Sequence, residues 1–279
     1  ARPASEPLPQ GFALRLDADT TMLGARFLLG GSPTRLMRLS PAGRDAWQAL
    51  RAAPVSEPAT GLLARRLTDG GLAHPVPPHA AAVEATVVIP VYGRPTALNA
   101  CLNALRGAYP VIVVDDGSPD PVEIAAVCER HPEVVMVRCG SNSGPGAARN
   151  AGLVRVRTDL VALLDSDCIA APSWIAQLAG HFADPQLAAV APRIVPSAPS
   201  SWHGRYARAN SSLDMGPRPA RVAPGTRVGY VPTAALLLRR SALPDDGDAF
   251  DTALRLGEDV DLIWRLHKAG WRVRYEPDV

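Results

Sequence analysis

The stretch Val161-Ala162-Leu163-Leu164-Asp165-Ser166-Asp167-Cys168 decides how the chain is read. Its apolar run fits a strand buried on both faces, as in the centre of a parallel sheet. A pair of carboxylates follows at its C-terminal end, where an open α/β sheet binds its ligands. Residues two apart on an extended backbone point the same way, so Asp165 and Asp167 can converge on one cation or ligand. Carboxylates that close resist joint ionisation unless a cation compensates them. A polar Asp-Ser-Asp turn capping the next helix accounts for the same residues equally well.

Upstream, the arrangement recurs. Thr86-Val87-Val88-Ile89-Pro90-Val91-Tyr92 reads as a buried strand, followed by a loop at Gly93-Arg94-Pro95 and a helix over 96–106. Val111-Ile112-Val113-Val114 is another such strand, ending in Asp115-Asp116-Gly117-Ser118. A helix over 121–130, a strand over 134–138 and the loop Asn142-Ser143-Gly144-Pro145-Gly146 lead into a further helix beginning at Ala147. Downstream, a helix is expected over 172–182, strands over 188–195 and within 228–240, a helix over 258–269 and a last strand over 271–275. Strands alternating with helices predict a doubly wound, mainly parallel α/β sheet, Rossmann-like, with right-handed crossovers and helices on both faces.

Each strand end offers something to a ligand. A carboxylate of Asp115-Asp116 at the crevice can accept from a ribose hydroxyl or a base N–H. Tyr92 presents a ring for stacking. Asn142–Gly146 opens a helix whose free N–H groups favour an anion such as a diphosphate, and Arg149 on its first turns can add a bidentate phosphate contact. The phosphate loop G-x-x-x-x-G-K-[S/T] is missing, and no G-x-G-x-x-G follows the first strand, so NAD binding has no support.

The composition is that of an ordinary globular protein: 279 residues, 47% hydrophobic and 20% charged. A net charge of +2, carried almost wholly by Arg with Lys268 as the lone lysine, gives no case for nucleic acid. Cys101, Cys128, Cys139 and Cys168 lack C-x-x-C and metal-type spacing, which suits a reduced, cytoplasmic protein. No apolar run reaches the ~20 residues that span a bilayer, and a signal peptide is not apparent. The chain begins without Met and stops after a strand-like segment, as a fragment would.

Residues 1–80 read as a separate α+β module, and 83–279 as the main domain. Phe12–Leu16, Phe27–Leu29 and Leu36–Leu39 alternate as strands do, with a hairpin turn at Gly30-Gly31-Ser32-Pro33. Ser40-Pro41 gives an N-cap and N1 proline for a helix over 42–52, and a second helix fits 60–67. Residues 74–82, with Pro75, Pro77 and Pro78, fit a linker. The module looks winged-helix-like and is similar to the small domains that bind precursor peptides in ribosomal-peptide biosynthesis; a structural appendage fits it as well.

From Val87 onward the chain resembles the family 2 glycosyltransferases, nucleotide-sugar enzymes of the GT-A fold. The resemblance rests on Val88–Arg94, Val113-Val114-Asp115-Asp116-Gly117-Ser118, Asn142-x-Gly-x-Gly-Ala-Ala-Arg-Asn-Ala-Gly152, Leu164-Asp165-Ser166-Asp167 and Gly257-Glu258-Asp259-Val260-Asp261-Leu262. It implies that Pro90, Tyr92, Arg94 and Asp116, with Asp115 close by, hold the nucleotide sugar. Asp165 and Asp167 become the D-x-D pair, Asp167 the more direct ligand of Mn²⁺ or Mg²⁺. Asp259 becomes the general base of an inverting displacement that yields a β-glycoside. Its place at a helix start suggests that the dipole favours its ionised form; Glu258 and Asp261 can equally be helix-start acids. A further metal ligand after the last strand, frequent in this fold, has no match, and His203 and His267 do not supply it.

With its small first domain, the chain looks most like the mycofactocin-system glycosyltransferases of actinobacteria. That implies UDP-glucose as donor, a peptide-derived small molecule as acceptor, and a precursor peptide as a partner for the module. Residues 197–224 form a long irregular stretch in which Trp202, His203, Tyr206 and Arg208 are acceptor-wall candidates, with packing or plain exposure equally able to explain them. The competing classes are a non-catalytic nucleotide-sugar binder, a nucleotidyltransferase, and a polysaccharide or polyprenyl-phosphate glycosyltransferase. The last would predict a membrane segment beyond Val279.

Overall fold

The computed structural model describes residues 6–78, 83–197, 201–202, 206, 210–244 and 248–279. An eight-stranded sheet runs in the order β11-β13-β10-β12-β9-β6-β7-β8. Its strands are β6 (Ala85–Val91), β7 (Val111–Asp115), β8 (Val134–Arg138), β9 (Leu160–Leu164), β10 (Leu187–Pro192), β11 (Ala220–Val222), β12 (Ala235–Arg239) and β13 (Arg272–Glu276). β6 pairs in parallel with β7 and β9, β7 with β8, and β10 with β13. β12 lies antiparallel between β9 and β10, and β11 antiparallel beside β13. The sheet is therefore mainly parallel, with two reversed strands that an apolar run could not reveal.

The strands read as continuous apolar runs because helices cover both faces. Val88, Val161 and Leu163 point into one layer with α5 (Pro145–Leu153) and α7 (Glu258–Lys268), which contribute Ala148, Leu153, Leu262, Ile263 and Leu266. Their sequence neighbours Val87, Ile89, Ala162 and Leu164 point into the other, under α3 (Pro95–Leu105), α4 (Pro121–Cys128) and α6 (Trp174–Ala179). The alternation is the two-residue period of a pleated strand. α5 lies close enough that a Cβ on Gly152 would stand 2.5 Å from Val88 Cγ1. That explains the glycine closing the Ala-Arg-Asn-Ala-Gly run.

The first module has its own core around Phe12, Leu28, Trp47, Leu50, Ala64 and Leu67. β2 (Thr21–Leu23), β3 (Phe27–Gly30) and β4 (Arg35–Arg38) form an antiparallel meander. α1 (Pro41–Ala52) starts as expected, with the Ser40 hydroxyl accepting from the Gly43 amide at 3.1 Å. α2 (Pro58–Asp69) follows, and β5 (Ala73–Val76) returns to pair with β1 (Ala13–Leu16). The linker expected from residue 74 thus starts later: His74 belongs to a paired strand and is 2% exposed.

The module is joined to the sheet by buried charge. Arg65 on α2 donates two hydrogen bonds to Asp184, at 2.6 and 2.7 Å. Arg272 on β13 does the same to Asp69, at 2.7 and 2.6 Å. Arg274 donates to His74 Nδ1 at 2.9 Å; since arginine cannot accept, Nε2 carries the imidazole proton and donates to Asp17 at 2.8 Å. Burial, then the charge of Arg274, pulls His74 down to about 4, so the ring is neutral.

Candidate functional site

A cleft of about 390 Å³ opens at the C-terminal ends of β6, β7 and β9. Pro90, Tyr92, Arg94, Asp116, Asp165 and Asp167 line it, together with Asn142, Gly144 and Pro145. It is the topological switch of the sheet: β7 lies on one side of β6 and β9 on the other, so their connections leave in opposite directions.

The consecutive carboxylates of β7 part company. Asp115 is fully buried; it accepts from the Ser118 amide at 2.9 Å and pairs with Arg138. It therefore braces the turn from beneath and is not on the cleft wall. Asp116 does line the cleft, and its two oxygens accept from the amides of Ser143 and Gly144 at 3.0 and 2.8 Å. Two of the loop amides expected to meet an anion are thus held by Asp116. Gly117 makes this possible: its φ is +72°, and a Cβ there would stand 2.6 Å from the Ser141 carbonyl carbon.

Arg94 adopts a left-handed conformation, φ 57°, immediately before Pro95 at the start of α3. Such backbone is costly for a residue with a Cβ and concentrates at functional sites. Its Nη1 donates to Asp167 across the cleft at 3.1 Å, with both side chains more than half exposed. Tyr92 is 50% exposed, leaving its ring available for stacking. Ser118 Oγ accepts from the Gly93 amide at 2.8 Å and ties the β6 loop to the β7 turn.

Asp165 is anchored through its backbone: its amide donates to Ala234 at 2.9 Å, and its carbonyl accepts from the Cys168 amide at 3.0 Å. Its side chain accepts from Arg149 Nη2 at 2.7 Å. Asp165 and Asp167 face the same cleft, but each pairs with a different guanidinium. Among the described residues, no three His, Cys, Asp or Glu side chains gather as a self-sufficient metal site. The nearby thiols of Cys101 and Cys168 are pushed up to about 12 and stay protonated; burial is the first cause for both, followed at Cys101 by Cys168 and then the two aspartates, and at Cys168 by the two aspartates.

Arg149 lies under the cleft, 3% exposed, with its second terminal nitrogen donating to Glu258 at 3.1 Å. Both forks are engaged by this chain's own carboxylates, where the sequence suggested phosphate. Arg149 also stacks 5.5 Å from the Phe250 ring centroid. Through Glu258 it reaches the first turn of α7, which carries Asp259. The Asp259 carboxyl accepts from the Val260 amide at 2.8 Å. Burial raises its pKa, with Glu258 adding to the rise and Val260 and Arg149 opposing it. The helix-start position was expected to favour the ionised form; burial outweighs it.

Trp202 and Tyr206 are 63% and 68% exposed, whereas His203 and Arg208 lie outside the described residues. Among the described residues no helix is long and apolar enough to cross a membrane.

A doubly wound sheet with this strand order and a carboxylate-lined cleft at its switch point defines the GT-A class of glycosyltransferase folds. The mannosyltransferase PcManGT from Pyrobaculum calidifontis, in complex with GDP-Man and Mn2+, aligns with a TM-score of 0.57 at 20% identity, covering 73% of this chain and 57% of that one. S. aureus TarS 1-349 in complex with UDP-GlcNAc aligns at 0.55 and 20% identity, over 70% of this chain and 56% of that one. The chain belongs to glycosyl transferase family 2, whose family model matches residues 86–243. It is 46% identical over 273 residues to a pre-mycofactocin glycosyltransferase of Mycobacterium tuberculosis (strain ATCC 25618 / H37Rv), covering 97% of this chain and 57% of the relative. An N-acetylglucosaminyltransferase of Rhizobium meliloti (strain 1021) is 29% identical over 69% of this chain and 49% of its own length. The chain thus spans about half the length of these curated relatives.

Proposed function

We propose that this chain transfers a hexose from a nucleotide-diphosphate sugar to an acceptor hydroxyl, with inversion at the anomeric carbon. The observation that carries the reading is the single cleft that joins Pro90, Tyr92, Arg94 and Asp116 to Asp165 and Asp167. Tyr92 stacks on the base, and Asp116, pinned by two amides, accepts from the nucleoside. Asp115 serves from beneath by fixing that turn. Arg94 turns from Asp167 to the diphosphate, while Arg149 orients Asp165 from below.

Hard cations such as Mg²⁺ or Mn²⁺ bind through one or two carboxylates plus substrate phosphates and water, without an all-protein cage. The oxygen donors of Asp167 and Asp165 fit that requirement, Asp167 being the more accessible. When bound, the ion would supply charge compensation to the leaving diphosphate. Asp259 takes the proton of the acceptor hydroxyl as that oxygen attacks the anomeric carbon opposite the leaving group, and an α-linked donor gives a β-glycoside. Burial, by raising its pKa, suits it to accept that proton.

UDP-glucose is the donor proposed and a peptide-derived mycofactocin precursor the acceptor, supported by the likeness to the pre-mycofactocin enzyme. The module offers a precursor peptide the outer face of its meander, where Leu23, Leu29 and Leu36 are exposed. The test is UDP-glucose turnover with that acceptor and with polyprenyl-phosphate acceptors, reading the anomeric configuration of the product. A β-glucoside of the precursor is expected, with UDP and Mn²⁺ binding weakened in Asp167→Asn. A retained α-linkage, or equally tight binding by Asp167→Asn, removes the corresponding assignment.

A further inference from the structure

α5 grips the segment before the base twice, through adjacent side chains. Asn150 exchanges two hydrogen bonds with the backbone of Phe250: Nδ2 donates to the carbonyl at 2.8 Å, and Oδ1 accepts from the amide at 2.9 Å. Arg149 donates to Glu258 at 3.1 Å and to Asp165 at 2.7 Å. Both residues are buried, at 3% and 7% exposure. Residues 251–257 span the gap between these anchors, with Leu254 39% and Leu256 89% exposed. The loop has little packing of its own to fix where α7 begins.

We propose that Arg149 and Asn150 are positioning residues that set the distance between the donor-side carboxylate Asp165 and the first turn of α7. α5 is itself packed on the sheet, so it transmits a rigid reference from the donor strand ends to Glu258 and its neighbour Asp259. The chemistry of each side chain matters. The Asn150 amide both donates to and accepts from one backbone residue, whereas an ionised carboxylate only accepts, so Asn150→Asp removes the donated bond while preserving shape. Only a guanidinium forks between two carboxylates; Lys supplies charge without that geometry. The proposal rests on the reading of Asp259 as base, and a misplacement near 1 Å is enough to cost about 100-fold in rate.

The experiment compares Asn150→Asp, Arg149→Lys and Arg149→Met in the full chain, measuring kcat and donor KM with UDP-glucose and the Kd of UDP with Mn²⁺. The Asn150→Asp kcat is expected to fall about 10- to 100-fold, with UDP affinity within about 3-fold of wild type. Arg149→Lys should recover part of the kcat lost in Arg149→Met. Combined with Asp259→Asn, Asn150→Asp should add little further loss, because a displaced base and an absent base fail at one step. Wild-type kcat in Asn150→Asp, or a multiplicative loss in the double variant, overturns the proposal. UDP binding is the folding control: if Asn150→Asp does not bind UDP, the Lys-against-Met comparison decides, equal kcat values counting against it. If Asp259→Asn alone keeps wild-type turnover, the base reading fails; if it loses turnover while Asn150→Asp keeps the wild-type kcat, only the positioning role fails.

Discussion

Arg65 and Asp184 form a two-bond ion pair across the seam between the first module and the sheet domain, with both side chains almost wholly buried. A buried pair broken on one side leaves an uncompensated charge, at a cost of about 3–5 kcal/mol. Arg65→Ala is therefore expected to destabilise the full chain by about that amount, read from the denaturant midpoint. A module that is merely appended predicts no change in the sheet domain.

The same seam predicts acid lability. His74 is held at about 4, by burial and then Arg274, and His181 at about 3, by the same causes. In the unfolded chain both titrate near 6.5. The unfolded state therefore binds more protons between these values, and stability falls as pH falls from 6.5 towards 4 and 3. Asp17 continues the trend: burial raises it, but hydrogen bonds from Arg227, the Asp19 amide and His74 outweigh burial and hold it at about 2. Its contribution is fully present above 3.8, its unfolded value, and is lost as pH falls from there through about 2. Chemical denaturation between about pH 7 and about pH 4.5 should show a steady loss, and a flat profile would contradict the neutral-histidine seam.

Asp116→Ala removes the acceptor of two loop amides as well as a cleft-lining carboxylate. Hydrogen bonds to a charged acceptor are worth about 1.5–3 kcal/mol each, so the loop before α5 should loosen and UDP affinity drop about 10-fold or more. Titration calorimetry reads this directly. Unchanged affinity would take Asp116 out of the nucleoside site.

Burial raises the Asp259 pKa, and a general base works only when deprotonated. Activity should therefore rise with pH through a limb lying above the ordinary carboxylate range. An acid limb at or below that range would show that the titrating group is another residue.

Much of this was legible in the sequence because it is local. β6, β7 and β9 are apolar runs fully buried in the fold, and the carboxylates that end β7 and β9 cluster at its switch point. The sequence could not show which of Asp115 and Asp116 reaches the cleft, since the Gly117 turn settles that. Nor could it show the destination of Arg149: a phosphate and a pair of carboxylates make the same demand on a guanidinium. The seam was hidden for a different reason. Arg65 and Asp184 are 119 residues apart, Asp69 and Arg272 are 203, and no periodicity records such pairs. His74 sat among prolines that read as a linker, although its partner strand lies near the start of the chain.

The most direct test of the glycosyl-transfer account is UDP-glucose turnover in Asp259→Asn alongside its affinity for UDP and Mn²⁺. UDP affinity is expected to stay within about 3-fold of wild type while turnover falls about 100- to 10,000-fold, the usual worth of a general base. Turnover equal to wild type in that variant would contradict the account.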